Sequence, residues 1–280
     1  MKFGLIGHPI AHSLSPSLFK AGYEGRYQYE LIEGDDFEDS FRRFIEEYDG
    51  INVTAPFKEL AFAKADILSP ECRAVGATNL LIKTPEGIKA FNSDYLGVRM
   101  WLDTVVEHLK RTPPTPAERV PPPAARGVAR FSDALPPYPT VKALIIGLGG
   151  AGKAAAAAAE SLGMKVIRMN RTVKDERTRP LEDFRECFRE ADIIIYNIPT
   201  AIPALNELTD SDFNPGKSKH ILEANYKDPS FGPEILERMK KANPLVRYTG
   251  GRTWLLYQAL TGYEIFTGEK PDLGRMSDVL

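Results

Sequence analysis

Residues 141–172, VKALIIGLGGAGKAAAAAAESLGMKVIRMNRT, restrict the possible fold more than any other stretch of the chain. Residues 141–146 are an apolar run of strand length. Gly147-Leu148-Gly149-Gly150-Ala151-Gly152 follows at once and opens an alanine-rich segment, for which helix propensity predicts a helix over 150–162. A second apolar run at 166–169 completes a βαβ unit, and further strands expected at 193–196 and 220–223 continue a doubly wound, Rossmann-type pattern. In that context each glycine has a physical use. Gly147 permits a tight turn, Gly149 lets backbone approach a pyrophosphate, and the following helix offers unpaired N–H groups and a positive dipole end to phosphate charge.

The end of the second strand of such a unit selects the cofactor, because an acidic residue there accepts a hydrogen bond from the ribose 2′-hydroxyl of NAD. This chain carries Asn170-Arg171-Thr172 instead. A guanidinium would pair with a 2′-phosphate that a carboxylate would repel, so NADP(H) is expected over NAD(H), with Lys174 adding positive charge. The alternative is that Arg171 is a solvated surface cation.

The first half alternates short apolar runs with amphipathic stretches: strands at 3–6, 27–32 and 51–54, a helix at 37–48, a hairpin of 80–83 with 88–91, and a long helix at 94–110. The alternation up to residue 54 suits a parallel sheet. Nine of the chain's 22 prolines fall between 111 and 140, which argues against regular structure there. A surface loop is expected, with a proline-rich docking segment as the alternative. The net charge of −2 gives no polycationic face for nucleic acid or an anionic membrane. MKFGLIGHPIAH lacks the apolar stretch of a secretory signal, and no run of 18 apolar residues occurs, so a cytoplasmic location is expected. Cys72 and Cys187 form no CxxC pattern and the four histidines show no metal-ligand spacing, so neither a disulfide framework nor a metal site is expected.

Polar clusters stand where strands end or helices begin, which is where open α/β sheets bind ligands. Ser13-Leu14-Ser15-Pro16 follows the first strand, with Ser15 expected as a helix N-cap; two hydroxyls there would equally well hold a carboxylate. Asn52-Val53-Thr54-Ala55-Pro56-Phe57-Lys58 ends another strand, with Asn52 and Thr54 on one side of it. Lys58 alone would read as a surface charge. Asn79 and Asn92-Ser93-Asp94 add polar groups unsuited to a core.

Taken together, Ser13 to Pro16, Asn52 to Lys58, Gly76-Ala77-x-Asn79, Asn92-Ser93-Asp94, the Gly147 loop, Asn170-Arg171-Thr172 and Gly251-x-x-x-Leu255-x-x-Gln258 resemble the shikimate/quinate dehydrogenase family in order and spacing over nearly the whole chain. The resemblance implies an N-terminal α/β substrate domain (1–100 and 249–280) and a Rossmann-type NADP-binding domain (101–248, with the proline-rich insert at 111–140), the C-terminal helices returning to the first. It implies NADP-dependent interconversion of 3-dehydroshikimate and shikimate. Lys58 and Asp94 would be the catalytic pair. Ser13 and Ser15 would bind the substrate carboxylate, and Asn52, Thr54, Asn79, Tyr226 and Gln258 would also contact substrate. Gly147, Gly149, Gly150, Ala151, Gly152, Asn170, Arg171, Thr172 and Gly251 would hold the cofactor. The expected partners are these small molecules, in a monomer or homodimer, with no nucleic acid, membrane or metal.

The chemistry agrees independently, because a ketone that accepts hydride at carbon needs a proton at oxygen, and Lys58 can deliver it. A neighbouring Asp94 would favour the ammonium, while enclosure would oppose it. The proline-rich insert, the Ile198-Pro199-Thr200 segment after Asn197, and Trp254, where the family often has methionine, depart from the pattern. The alternatives are a quinate or quinate/shikimate dehydrogenase using NAD, and a non-catalytic NADP-sensing module.

Overall fold

A computed structural model describes residues 1–111, 141–173 and 175–280. The expected proline-rich loop beyond Arg111 and the charge expected from Lys174 lie outside the described residues. The chain divides into two compact units, one of Met1–Leu102, Leu148–Ala158 and Gly250–Leu280, the other of Asp103–Gly147 and Ala159–Thr249.

In the first unit the elements run β1 (Lys2–Gly7), α1 (Ser15–Tyr23), β2 (Gln28–Glu33), α2 (Phe37–Glu47), β3 (Gly50–Val53), α3 (Lys58–Ala63), β4 (Ile67–Leu68), α4 (Pro70–Val75), β5 (Leu80–Thr84), β6 (Gly87–Phe91) and α5 (Ser93–Arg111), which continues past Leu102. The sheet order is β2-β1-β3-β5-β6-β4. It is mixed: β1 pairs parallel with β2 and β3, as the alternation up to residue 54 led one to expect, the expected hairpin is the antiparallel pair β5–β6, and β5 also pairs antiparallel with β3. The hairpin turn sets β5 against β6, but apolar alternation does not say which other strand β5 joins, so its place beside β3 was not readable. Both faces are covered. Ile6, Ile51, Val53 and Leu81 pack with α2 through Phe37 and Phe44, while Phe3 and Leu80 pack with α1 through Leu18 and Phe19. Each such large apolar side chain contributes roughly 1.5–3 kcal/mol by leaving water.

The remaining elements are β7 (Lys142–Ile146), α6 (Gly150–Ser161), β8 (Lys165–Met169), β9 (Thr178–Arg179), α7 (Phe184–Glu190), β10 (Ile193–Tyr196), α8 (Pro203–Asn206), β11 (Lys219–Glu223), α9 (Pro233–Ala242) and β12 (Val246–Thr249). The strands form a parallel sheet in the order β12-β11-β10-β7-β8-β9. Numbered within this sheet the order is 3-2-1-4-5-6, the dinucleotide-binding arrangement, and the switch in connection direction lies between β7 and β10. Its core joins Leu144, Ile146, Ile194 and Ile221 to Phe184, Phe188 and Phe213. Finally α10 (Gly251–Thr267) and α11 (Leu273–Ser277) pack in the first unit, where Tyr263, Phe266 and Met276 join Phe3 and Phe19. Among the described residues no helix is long and apolar enough to cross a membrane.

Candidate active site

In the first unit a turn after β3, closed by Phe57 N–H to the Thr54 carbonyl at 3.0 Å, buries Phe57 and starts α3 at Lys58. Asn92 caps α5: its Oδ1 accepts from Tyr95 N–H at 3.0 Å and its Nδ2 donates to the Ala77 carbonyl at 2.9 Å. Asp94 thus stands in the first turn of α5, where the positive helix end suits a carboxylate. The two meet. Lys58 Nζ donates to Asp94 Oδ2 at 2.5 Å, with side chains 19% and 8% exposed. An ammonium has three donors, so two N–H groups of Lys58 and the second carboxylate oxygen remain without a partner among the described residues.

Beside this pair the amides of two asparagines are held in fixed orientation. Tyr29 OH donates to Asn52 Oδ1 at 2.7 Å, and Asn52 Nδ2 donates to the Asn79 carbonyl at 3.3 Å. Asn79, buried, accepts Ser93 N–H at Oδ1 (2.7 Å) and donates from Nδ2 to Ser93 Oγ (3.0 Å). Each amide keeps one N–H donor in a defined direction. Tyr29 was not singled out from sequence; it reads there as a strand aromatic, and only the register of β1 with β2 and β3 brings it to Asn52.

Ser13 and Ser15 come together, with Oγ atoms 3.1 Å apart, and Ser15 N–H donates to Ser13 Oγ at 3.2 Å. The expected N-cap at Ser15 is corrected: Leu14 is the cap residue and Ser15 the first residue of α1, because the Ser13 hydroxyl already takes the Ser15 N–H. Tyr263 OH donates to the Ser15 carbonyl at 3.0 Å, tying this loop to α10. Burial holds the Tyr29 and Tyr263 hydroxyls well above the ordinary phenol range, so both stay protonated donors. Thr54 is half-buried directly after β3, and Gln258 is half-buried on α10, which begins at the buried Gly251.

Gly147 follows β7 with φ +84°, and a Cβ there would lie 3.0 Å from Ile198 and 3.1 Å from the Asn197 backbone, so only glycine fits. A Cβ at Gly149 would meet nothing within 4 Å, whereas one at Gly150 would stand 3.3 Å from Lys58 Cδ. Ala151 is half-buried and Gly152 buried at the start of α6. Beside Gly147, Asn197 Oδ1 is buried without a partner among the described residues, an acceptor that sequence reasoning did not single out. After β8, Asn170 Nδ2 donates to the Thr172 carbonyl at 3.1 Å, which turns the chain so that Arg171 and Thr172 are exposed. Arg171 pairs with no carboxylate among the described residues. The nearby Asp175 is taken up by Thr178 Oγ1 (2.8 Å) and Arg177 N–H (2.9 Å). Tyr226 is half-buried in the loop after β11, in the second unit. Among the described residues no group of three or more His, Cys, Asp or Glu could hold a metal.

Residues 5–81 match the family model described as the shikimate dehydrogenase substrate binding domain, and residues 137–222 that of the D-isomer specific 2-hydroxyacid dehydrogenase NAD binding domain. A shikimate dehydrogenase (NADP(+)) of Thermus thermophilus is 26% identical over 99% of this chain and 97% of its own length. Among solved structures, a shikimate 5-dehydrogenase from Thermus thermophilus in complex with shikimate aligns with a TM-score of 0.70 at 25% identity, covering 100% of this chain and 97% of the other. The quinate dehydrogenase of Corynebacterium glutamicum in complex with NAD, 19% identical over 100% of this chain and 98% of the other, shares the fold with a TM-score of 0.73. With the motif order carried by Ser13, Lys58, Asp94, Gly147 and Gln258, these matches make the chain similar to shikimate dehydrogenases along its whole length.

Proposed function

We propose that the protein is an NADP-dependent shikimate dehydrogenase that reversibly reduces 3-dehydroshikimate to shikimate, a step of aromatic amino-acid biosynthesis. The observation that carries this reading is the contact of Lys58 Nζ with Asp94 Oδ2 at 2.5 Å, in a position where both groups retain unused hydrogen-bonding capacity. The named activity of the Thermus thermophilus relative, similar along its whole length, supports the same conclusion.

The second unit's residues fit a dinucleotide: the 3-2-1-4-5-6 parallel sheet, the φ +84° turn at Gly147 beside Asn197 Oδ1, and the Arg171 cation, the last two unpaired among the described residues. When bound, the cofactor supplies or takes the hydride. Arg171 would bind its 2′-phosphate, with Asn170 and Thr172 shaping that turn and Gly149 to Gly152 leaving room for phosphate. Lys58 would deliver the proton to the carbonyl oxygen as alkoxide charge develops, and Asp94 would orient the ammonium and accept from a ring hydroxyl. Asn52 and Asn79, each with one aimed N–H, would donate to ring hydroxyls together with Thr54, Gln258 and Tyr226, while Ser13 and Ser15 would hold the carboxylate. Analogues without those hydroxyls would leave the fixed amides unpaired and bind poorly. On this reading residues 1–100 and 249–280 bind substrate and 101–248 bind NADP(H), in a cytoplasmic monomer or homodimer.

The test is spectrophotometric: NADP+ reduction followed in the presence of shikimate, and again with quinate and with NAD+. Shikimate with NADP+ should be the best pair. No turnover of shikimate by the folded protein, or a preference for quinate with NAD+, would overturn the proposal.

A further inference from the structure

Trp254 lies near the start of α10, one helical turn before Gln258, and is 4% exposed. Its indole Nε1–H donates to the main-chain carbonyl of Asp94 at 3.0 Å, across 160 residues of sequence. One turn further along α5, a Cβ at Gly97 would lie 2.6 Å from the backbone nitrogen of Gln258, so the two helices touch backbone to backbone there. The first turn of α5 is therefore held against α10 at two successive points, and only the first of them is a hydrogen bond.

We infer that Trp254 is a positioning residue for Asp94, linking the Lys58–Asp94 pair to the helix that carries Gln258; this rests on the reaction proposed above. Asn92 and the Ser93–Asn79 bonds hold the start of α5 from the first unit's sheet side, while Trp254 reaches the same turn from α10. The short Lys58–Asp94 contact has little tolerance for rotation of α5, and displacement of a positioned group by about 1 Å can cost up to about a hundredfold in rate.

Trp254→Phe keeps an aromatic ring at the site and removes the donor along with part of the indole's buried volume. It should lower kcat about tenfold, leave the KM for shikimate within about twofold, and displace the pH profile of kcat, because the pair would be re-spaced while the substrate ligands stay. A folded variant with kcat within about twofold of wild type and a superimposable pH profile would overturn the inference. The chain has two tryptophans, so a Trp101→Phe background leaves one indole signal in a 15N spectrum. That Nε1–H should be protected from exchange with D2O and should move on Asp94→Asn. Rapid exchange would overturn the tether even if Trp254→Phe does not fold. This readout needs no turnover, so an enzyme inactive on shikimate would defeat the proposed function and still leave the tether tested.

Discussion

Both units bury charge, but they use it differently. In the second unit several buried polar groups hold the fold together: Lys219 Nζ donates to the carbonyls of Phe188 (2.6 Å) and Ala191 (2.5 Å) at the end of α7. Glu223 accepts from Ser230 N–H, Phe231 N–H and Tyr248 OH, and the two N–H groups of Asn243 Nδ2 are shared among three carbonyls. Asp212 is taken up by Arg185, Arg189 and Thr209, whose donors outweigh its desolvation and hold its carboxyl well below the ordinary range. In the first unit Lys58, Asp94, Asn52 and Asn79 are each fixed by one or two partners and keep donors or acceptors to spare. Burial of charge is thus a poor guide to a site; unspent hydrogen-bonding capacity held in a fixed direction is the better one.

The sharpest way to break that contrast is Lys58→Ala. It should lower kcat by about a hundredfold to ten-thousandfold with a shikimate dissociation constant within a few-fold of wild type, because proton delivery matters in the transition state. Near-wild-type turnover would return Lys58 to the structural class. On the other side of the contrast, His220 is buried and packed edge-to-face on His108, and burial, reinforced by His108 and Arg247, lowers its imidazole to about 4. Because that lies below the ordinary value of 6.5, the neutral ring stabilises the fold fully above pH 6.5, and the contribution is lost as pH falls toward 4. Denaturant unfolding of wild type and His220→Gln should therefore differ by a constant amount above pH 7, and the difference should fall by on the order of 3 kcal/mol by pH 4. A pH-independent difference would show that His220 is not buried neutral.

Arg171→Ala should weaken NADP+ binding by roughly ten- to a hundredfold, the range for a charge-assisted contact, and leave NAD+ binding nearly unchanged. Calorimetric titration of both cofactors checks this, and equal weakening would remove the 2′-phosphate role. The smallest effect belongs to Tyr29→Phe, which frees the Asn52 amide to rotate. The KM for shikimate should rise a few-fold, about 1 kcal/mol, with kcat nearly kept. An unaltered KM would mean that Asn52 does not bind substrate.

How much of this was legible in sequence follows the range of the interactions. The Gly147 loop, the helix after it and the strands at 193–196 and 219–223 are local patterns, and the structure carries them with shifts of one residue or none at their ends. The hairpin was legible too, although Thr84 pairs with Gly87, which shortens the turn to Pro85-Glu86. What depends on tertiary register was not. The pairing of Lys58 with Asp94 spans 36 residues and no spacing rule predicts it; it entered only through the family's motif order. The tie of Tyr29 to Asn52 spans 23 residues, and that of Trp254 to Asp94 spans 160. The Ser15 cap was misassigned by one residue: Leu14 is the cap, and the Ser15 N–H, the first of the helix, is taken by the Ser13 hydroxyl two positions upstream.

The most direct test of the central claim is the kcat of Lys58→Ala, Asp94→Ala and the double variant, measured with shikimate and NADP+ at one pH. If the two side chains act as one proton-transfer unit, the double variant should be no slower than the slower single variant, within about threefold. Losses that multiply would contradict the account, because they would mean that Lys58 and Asp94 serve the reaction independently.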